Sequence, residues 1–96
     1  MIASFGDEAT ADLFHDRLTS RVRRFPGNLK KTALRKLDVL NAGHQLVDLR
    51  SPPGNRLEIL RGDWQGFYSI RVNDQWRLVF RWADGNAYEV SLVDYH

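Results

Sequence analysis

The chain has 96 residues, 43% of them hydrophobic and 27% charged, with a net charge of +2. That is the composition of one globular domain, not of a disordered segment. The absence of cysteine excludes disulfides and thiolate metal sites, and no apolar run approaches the length of a membrane span.

The small net charge hides an asymmetry. Residues 1–16 carry Asp7, Glu8, Asp12 and Asp16 and no lysine or arginine. Residues 17–36 carry Arg17, Arg21, Arg23, Arg24, Lys30, Lys31, Arg35 and Lys36 and no acid. Such a block is either a solvated helix face or a surface for a polyanion or an acidic protein.

Met1 to Phe5 reads as a short first strand. It is too soon followed by Asp7 and Glu8 to be a signal peptide, so a cytoplasmic location is expected. Asp7 is a good N-cap for a helix over Glu8–Leu18, with Ala11, Phe14 and Leu18 on one stripe and Leu13 beside it. Phe25-Pro26-Gly27-Asn28 breaks the chain, and Asn28 is placed to cap a second helix from Leu29 to about Asn41. Leu29, Ala33, Leu37 and Leu40 form its apolar stripe, Lys30, Lys31, Arg35 and Lys36 lie on its flank and outside, and Gly43 stops it. Gln45–Leu49 is irregular or one more turn, and Ser51–Asn55 is a rigid connector. Four strand-like segments follow, Arg56–Leu60, Phe67–Val72, Trp76–Trp82 and Tyr88–Tyr95.

Alternation sets the registers. A three-residue loop at Asn73-Asp74-Gln75 pairs Ile70 with Leu78 and Tyr68 with Phe80, keeping one apolar face, whereas a one-residue slip would mix the faces. The same reasoning centres the next hairpin on Asp84-Gly85-Asn86, pairing Trp82 with Tyr88 and Phe80 with Val90. On the other face Arg81 then meets Glu89, a cross-strand ion pair. Arg71 meets Arg77, two opposed cations that repel unless an anion relieves them or the side chains splay into solvent. The last segment closes on Asp94, Tyr95 and His96. A strand end beside several arginines is a place where a phosphodiester could be held and cut.

At NRLEILRGD, SIRVNDQWRLVF and the terminal VDYH the sequence resembles the RelE/ParE toxin superfamily, and within it the HigB-type branch of plasmid-maintenance killer proteins. The resemblance extends from the opening IASF through the LRSPPGNRLE connector to the DYH terminus, covering residues 1–96 as one toxin domain. It implies an α+β fold of order β-α-α-β-β-β-β, with two N-terminal helices packed on a twisted antiparallel sheet. It also implies a type II toxin that cleaves mRNA in the ribosomal decoding site without metal or other cofactor. The implied partners are the 70S ribosome with its mRNA and a HigA-type helix-turn-helix antitoxin. Operator DNA would be met only through that antitoxin, and no membrane is involved.

Carried over by position, the site residues are Arg61, Arg77, Asp94, Tyr95 and His96. Glu58 stands where some HigB-type members have a histidine. Trp64 and Gln65 stand where relatives often have basic residues. In this scheme Arg61 and Arg77 hold phosphate oxygens, Glu58 is the base, His96 the acid, Asp94 an orienting carboxylate and Tyr95 a stacking or positioning ring. Arg71, Lys30, Lys31 and Arg35 are expected to contact RNA. Simple alternation puts Glu58 and Arg61 on opposite faces, so a bend near Leu60–Gly62 is needed if both serve one site.

Each residue also has a duller role. Glu58 could pair with Arg56 or Arg71, Asp94 could face the core and bond near Trp76, and Tyr95 could be a strand-end aromatic. His15 and His44 read as surface residues, and no histidine spacing suggests a metal site. Two other readings remain open at this point: a ParE-like inhibitor of gyrase that is not an enzyme, and an attenuated RNA-binding member of the family.

Overall fold

The computed structural model describes residues 1–95. Among them, three α-helices precede a four-stranded antiparallel sheet: α1 (Glu8–Phe14), α2 (Ser20–Arg23), α3 (Gly27–Ala42), β1 (Glu58–Ile59), β2 (Tyr68–Arg71), β3 (Trp76–Ala83) and β4 (Asn86–Asp94), in the strand order β1-β2-β3-β4. Short 3-10 turns at Leu46–Arg50 and Pro53–Asn55 lead from α3 to β1, and a third at Gly62–Trp64 joins β1 to β2. This is the expected α+β arrangement, with one more helix than the two read from the sequence.

The opening segment is bridged to β4 instead of forming a named strand. Ile2 and Phe5 make parallel bridges to Ala87 and Val90. Gly6 lies where this segment crosses β4 so closely that an added Cβ would meet Ser91 Oγ and come within 2.9 Å of the Glu89 carbonyl.

Asp7 caps α1 as expected, its Oδ1 accepting the Thr10 N–H at 2.7 Å. The helix ends at Phe14, short of Leu18. Asp16 turns into the left-handed region at φ 57, and the Thr19 hydroxyl caps α2 by accepting the Val22 N–H. A threonine hydroxyl competes well for the start of a new helix. As a result Leu18 is 75% exposed, and Thr10, Asp12 and Leu13 are the buried residues of α1. The Thr10 hydroxyl accepts the Leu92 N–H at 2.9 Å and pins α1 to β4.

The apolar stripe of α3 follows the expected spacing. Leu29, Ala33, Leu37 and Leu40 are all fully buried against Ile70, Leu78, Phe80 and Val90. Burial of each leucine contributes about 1.5–3 kcal/mol before entropy is counted. The helix starts at Gly27 directly after Pro26, so Asn28 lies inside its first turn and caps nothing; Gly43 ends it.

The β2–β3 register is the expected one: Tyr68↔Phe80, Ile70↔Leu78 and Arg71↔Arg77. Asn73 Oδ1 accepts the Gln75 and Trp76 N–H groups and shapes the loop. The β3–β4 hairpin differs near its tip. Ala83 pairs with Asn86 around a two-residue turn, Asp84-Gly85, with φ 53 and 79. Asp-Gly favours that turn because both central residues must adopt positive φ. The extra residue appears as a bulge at Glu89, φ 53, and beyond it Val79↔Ser91 and Leu78↔Leu92 restore the expected register. The Arg81–Glu89 ion pair forms all the same, at 2.8 Å.

Folding also divides the cationic block. Buried Asp12 pairs with Arg21 at 2.9 Å and Arg17 at 3.4 Å, and Glu8 pairs with Arg21 at 3.3 Å. Among the described residues no carboxylate pairs with Lys30, Lys31 or Arg35.

Candidate active site

Glu58 organises the site. Its strand is two residues long and lies at the sheet edge, where Glu58 pairs with Ser69 of β2. Cross-strand partners share a face, so Glu58, Ser69 and the Arg71/Arg77 pair stand on the sheet surface away from the apolar layer.

Arg77 reaches across that surface. Its side chain is buried, and its donors are already engaged. Nε donates to Ser69 Oγ at 2.7 Å and Nη2 donates to the Arg56 carbonyl at 2.6 Å, while Nη1 faces the Glu58 carboxylate at 3.7 Å. The guanidinium therefore grips the residue two before Glu58 and the residue across from it. It also lies 5.9 Å from the Tyr95 ring centroid, within cation–π range. Burial lowers the pKa of Arg77, and the neighbouring Glu58 and Tyr95 oppose that shift. Arg77 is expected from sequence to present a free fork to phosphate; instead its fork is directed at Glu58 and its surroundings.

Arg71 is opposite Arg77 as expected, but the two cations take separate carboxylates. Arg71 pairs with the fully exposed Asp74 and Arg77 with Glu58. Of the duller roles suggested for Glu58, pairing with Arg56 or Arg71 gives way to pairing with Arg77.

Arg61 comes from the other side. Past Ile59 the chain keeps one more ladder bond, Leu60 N–H to the Phe67 carbonyl, then turns at Arg61 into the Gly62–Trp64 turn with Gly62 at φ 66. That bend lets Glu58 and Arg61 line one open cleft of about 620 Å³ together with Leu46, Val47, Arg50, Leu57, Ile59 and Tyr68. Nothing in the sequence pattern singles out Arg50 or the exposed apolar Val47 and Ile59. They come from a 3-10 turn and an edge strand, where no periodic signal marks a face. Ser69 is legible in principle, because the β2–β3 register expected from alternation sets it on the arginine face.

At the chain end, Asp94 pairs with Trp76 in the ladder, is exposed, and accepts a hydrogen bond from Gln75 Nε2 at 2.9 Å. Tyr95 N–H donates to the Gln75 carbonyl at 2.8 Å, which fixes the strand end beside Arg77. His96 lies outside the described residues. Lys30 and Lys31 sit elsewhere, on a groove with Leu13, Leu18, Val22 and Leu34. No group of three metal-ligating side chains occurs among the described residues, and no helix is long and apolar enough to cross a membrane.

The arrangement joins a carboxylate and an arginine in an open cleft to an arginine-held strand end. Comparison with known proteins identifies the family. A family model described as the RelE-like toxin of the type II toxin–antitoxin system HigB matches residues 3–96. Toxin HigB-1 of Vibrio cholerae is 41% identical over 92 residues, covering 96% of this chain and 95% of that protein. Endoribonuclease HigB of Proteus vulgaris is 30% identical over 102 residues and covers both chains fully, at 100% each. In shape, the chain is similar to one from the YoeB-YefM complex of Staphylococcus aureus, with a TM-score of 0.56 at 18% identity over 100% of this chain and 98% of that one. The chain belongs to the HigB-like family of RelE-like toxins of type II toxin–antitoxin systems.

Proposed function

We propose that the protein is an endoribonuclease that cuts mRNA in the ribosomal decoding site and so arrests translation. The observation that carries this reading is the Glu58 carboxylate held by Arg77 on one side and sharing an open cleft with Arg61 on the other. The name of the Proteus vulgaris relative supports a nuclease.

In the reaction Glu58 takes the proton of a ribose 2′-OH as the 2′-oxygen attacks the adjacent phosphorus. The new O–P bond forms as the bond to the 5′-oxygen breaks, leaving a 2′,3′-cyclic phosphate. The leaving 5′-oxygen takes a proton from His96 and departs as a 5′-OH. A base of this kind typically contributes about 10²–10⁴-fold. Arg61 and Arg50, on the cleft wall, offer fork-shaped donors to the crowded phosphate. Arg77 serves Glu58 and, through its place over the Tyr95 ring, the strand end at Asp94 and Tyr95. Val47 and Ile59, 57% and 69% exposed, give the cleft apolar surface on which a base can rest. The chemistry requires no metal.

The protein's antitoxin partner is proposed to be of the HigA helix-turn-helix type, with operator DNA reached only through it and the toxin acting in the cytoplasm. Purified toxin, ribosomes and mRNA test the reaction. Fragments with 5′-OH ends, made only when ribosomes are present and lost in Arg77→Ala and His96→Ala, are the expected result. Intact mRNA with inhibited gyrase would replace this reading with the ParE-like one.

A further inference from the structure

Asn55 is fully buried and polar, and every side-chain group is engaged. Its Nδ2 donates to the Leu49 carbonyl at 3.2 Å and the Ser51 carbonyl at 3.1 Å, while its Oδ1 accepts from the Lys36 ammonium. The amide is thus fixed by two carbonyls of the connector and holds the tip of a lysine from α3. A surface lysine normally keeps its ammonium in water and its stem mobile. Lys36 does neither.

The tethered ammonium lies at the edge of the arginine face. The residue after Asn55 is Arg56, whose carbonyl Arg77 grips, and Arg71 stands opposite Arg77 in the ladder. Burial, then the charges of Arg35 and Arg71, lower the pKa of Lys36, and Arg71 acts in the same direction on Arg77. Among the described residues the one carboxylate paired within this group of Arg35, Lys36 and Arg71 is Asp74, itself fully exposed. An exposed pair of that sort is worth little and is readily displaced by a better anion. The Lys36 ammonium, half-buried and tied to the Asn55 amide, and the nearby Arg71 repel each other until an anion joins them.

We infer that Lys36 and Arg71, with Arg35 beside them, form a phosphate subsite that takes a backbone phosphate of the RNA next to the one cut at Glu58. The subsite rests on the nuclease reading above and extends it: the bound strand crosses the Glu58 cleft and continues past Arg71, at the end of β2, towards α3. Asn55 is a positioning residue here, acting through Lys36.

The probe is a short, fluorescein-labelled 2′-O-methyl RNA, whose blocked 2′-oxygen cannot attack. Binding is measured across a salt series, where each phosphate contact to a single strand contributes about 0.7 to the slope of log K against log salt. Lys36→Met and Arg71→Gln should each lower that slope by about 0.7. Lys36→Arg should restore it. Asn55→Ala leaves the net charge unaltered and should still lower the slope, because the ammonium loses its tether. Folding of each variant is checked by circular dichroism, and Arg71→Gln touches no buried amide, so the test survives if Asn55→Ala fails to fold. Equal slopes for wild type and folded variants, or no wild-type binding at low salt, overturn the subsite. Ribosomal cleavage assayed in parallel separates the two ideas. Intact mRNA with the slope losses present sinks the nuclease reading alone, and cleaved mRNA with unchanged slopes sinks the subsite alone.

Discussion

Arg77 has two of its nitrogens hydrogen-bonded before any RNA arrives, and the third faces Glu58. Its opposition to Arg71 was readable from alternation, because a period of two fixes which residues share a face. Its commitment to Glu58 was not, since that depends on where a two-residue edge strand docks. Asp12 illustrates the same limit. It sits among acids in sequence, yet in the fold it is buried and accepts from Thr19, Arg21 and Arg17. Burial acts to raise its pKa, but the Thr19 hydroxyl and the Arg21 and Arg17 guanidinium groups outweigh it and hold the carboxyl below its ordinary value. A carboxyl depressed in the folded state contributes stability above its unfolded pKa of about 3.9, and that stability is lost as pH falls through the lower folded value. Asp12→Asn should therefore be less stable than wild type at neutral pH and lose less stability on acidification below about pH 4. Urea titrations at several pH values read both effects.

The elements whose pattern is long and regular were legible. The α3 stripe at Leu29, Ala33, Leu37 and Leu40 and the β2–β3 register both follow from periodicity over at least four residues. Elements decided by local competition were less so. Thr19 and Asp16 cut α1 short and expose Leu18, and the preference of Asp84-Gly85 for a two-residue turn moved the odd residue to a bulge at Glu89. The bulge lies where the opening segment crosses β4, and Gly6 is the residue that permits the crossing. Gly6→Ala should force the two backbones apart and destabilise the protein by about 1–3 kcal/mol. Thermal melting measures this, and an unchanged midpoint would show that the crossing is slack.

Across the whole molecule, six of the eight cations of residues 17–36 separate into three groups. Arg17 and Arg21 are neutralised by the acids of α1, Lys30 and Lys31 border the Leu18 groove, and Lys36, next to Arg35, lies near Arg71. The sequence shows the excess of charge but not this division, because pairing Asp12 with Arg21 needs the turn between α1 and α2. Reversal of charge at Lys30, Lys31 and Arg35 should weaken binding to the antitoxin, to ribosomes, or to both. Pull-down by the antitoxin and ribosome sedimentation measure the two separately, and no change in either would leave these residues a role in solubility only.

The proposed reaction depends on Glu58 as the base that Arg77 holds in place. Its most direct test is single-turnover cleavage of ribosome-bound mRNA by Glu58→Gln, which keeps the size of the side chain and removes its basic oxygen. The rate should fall by about 10²–10⁴-fold with ribosome binding retained. Cleavage at the wild-type rate would show that the proton goes elsewhere.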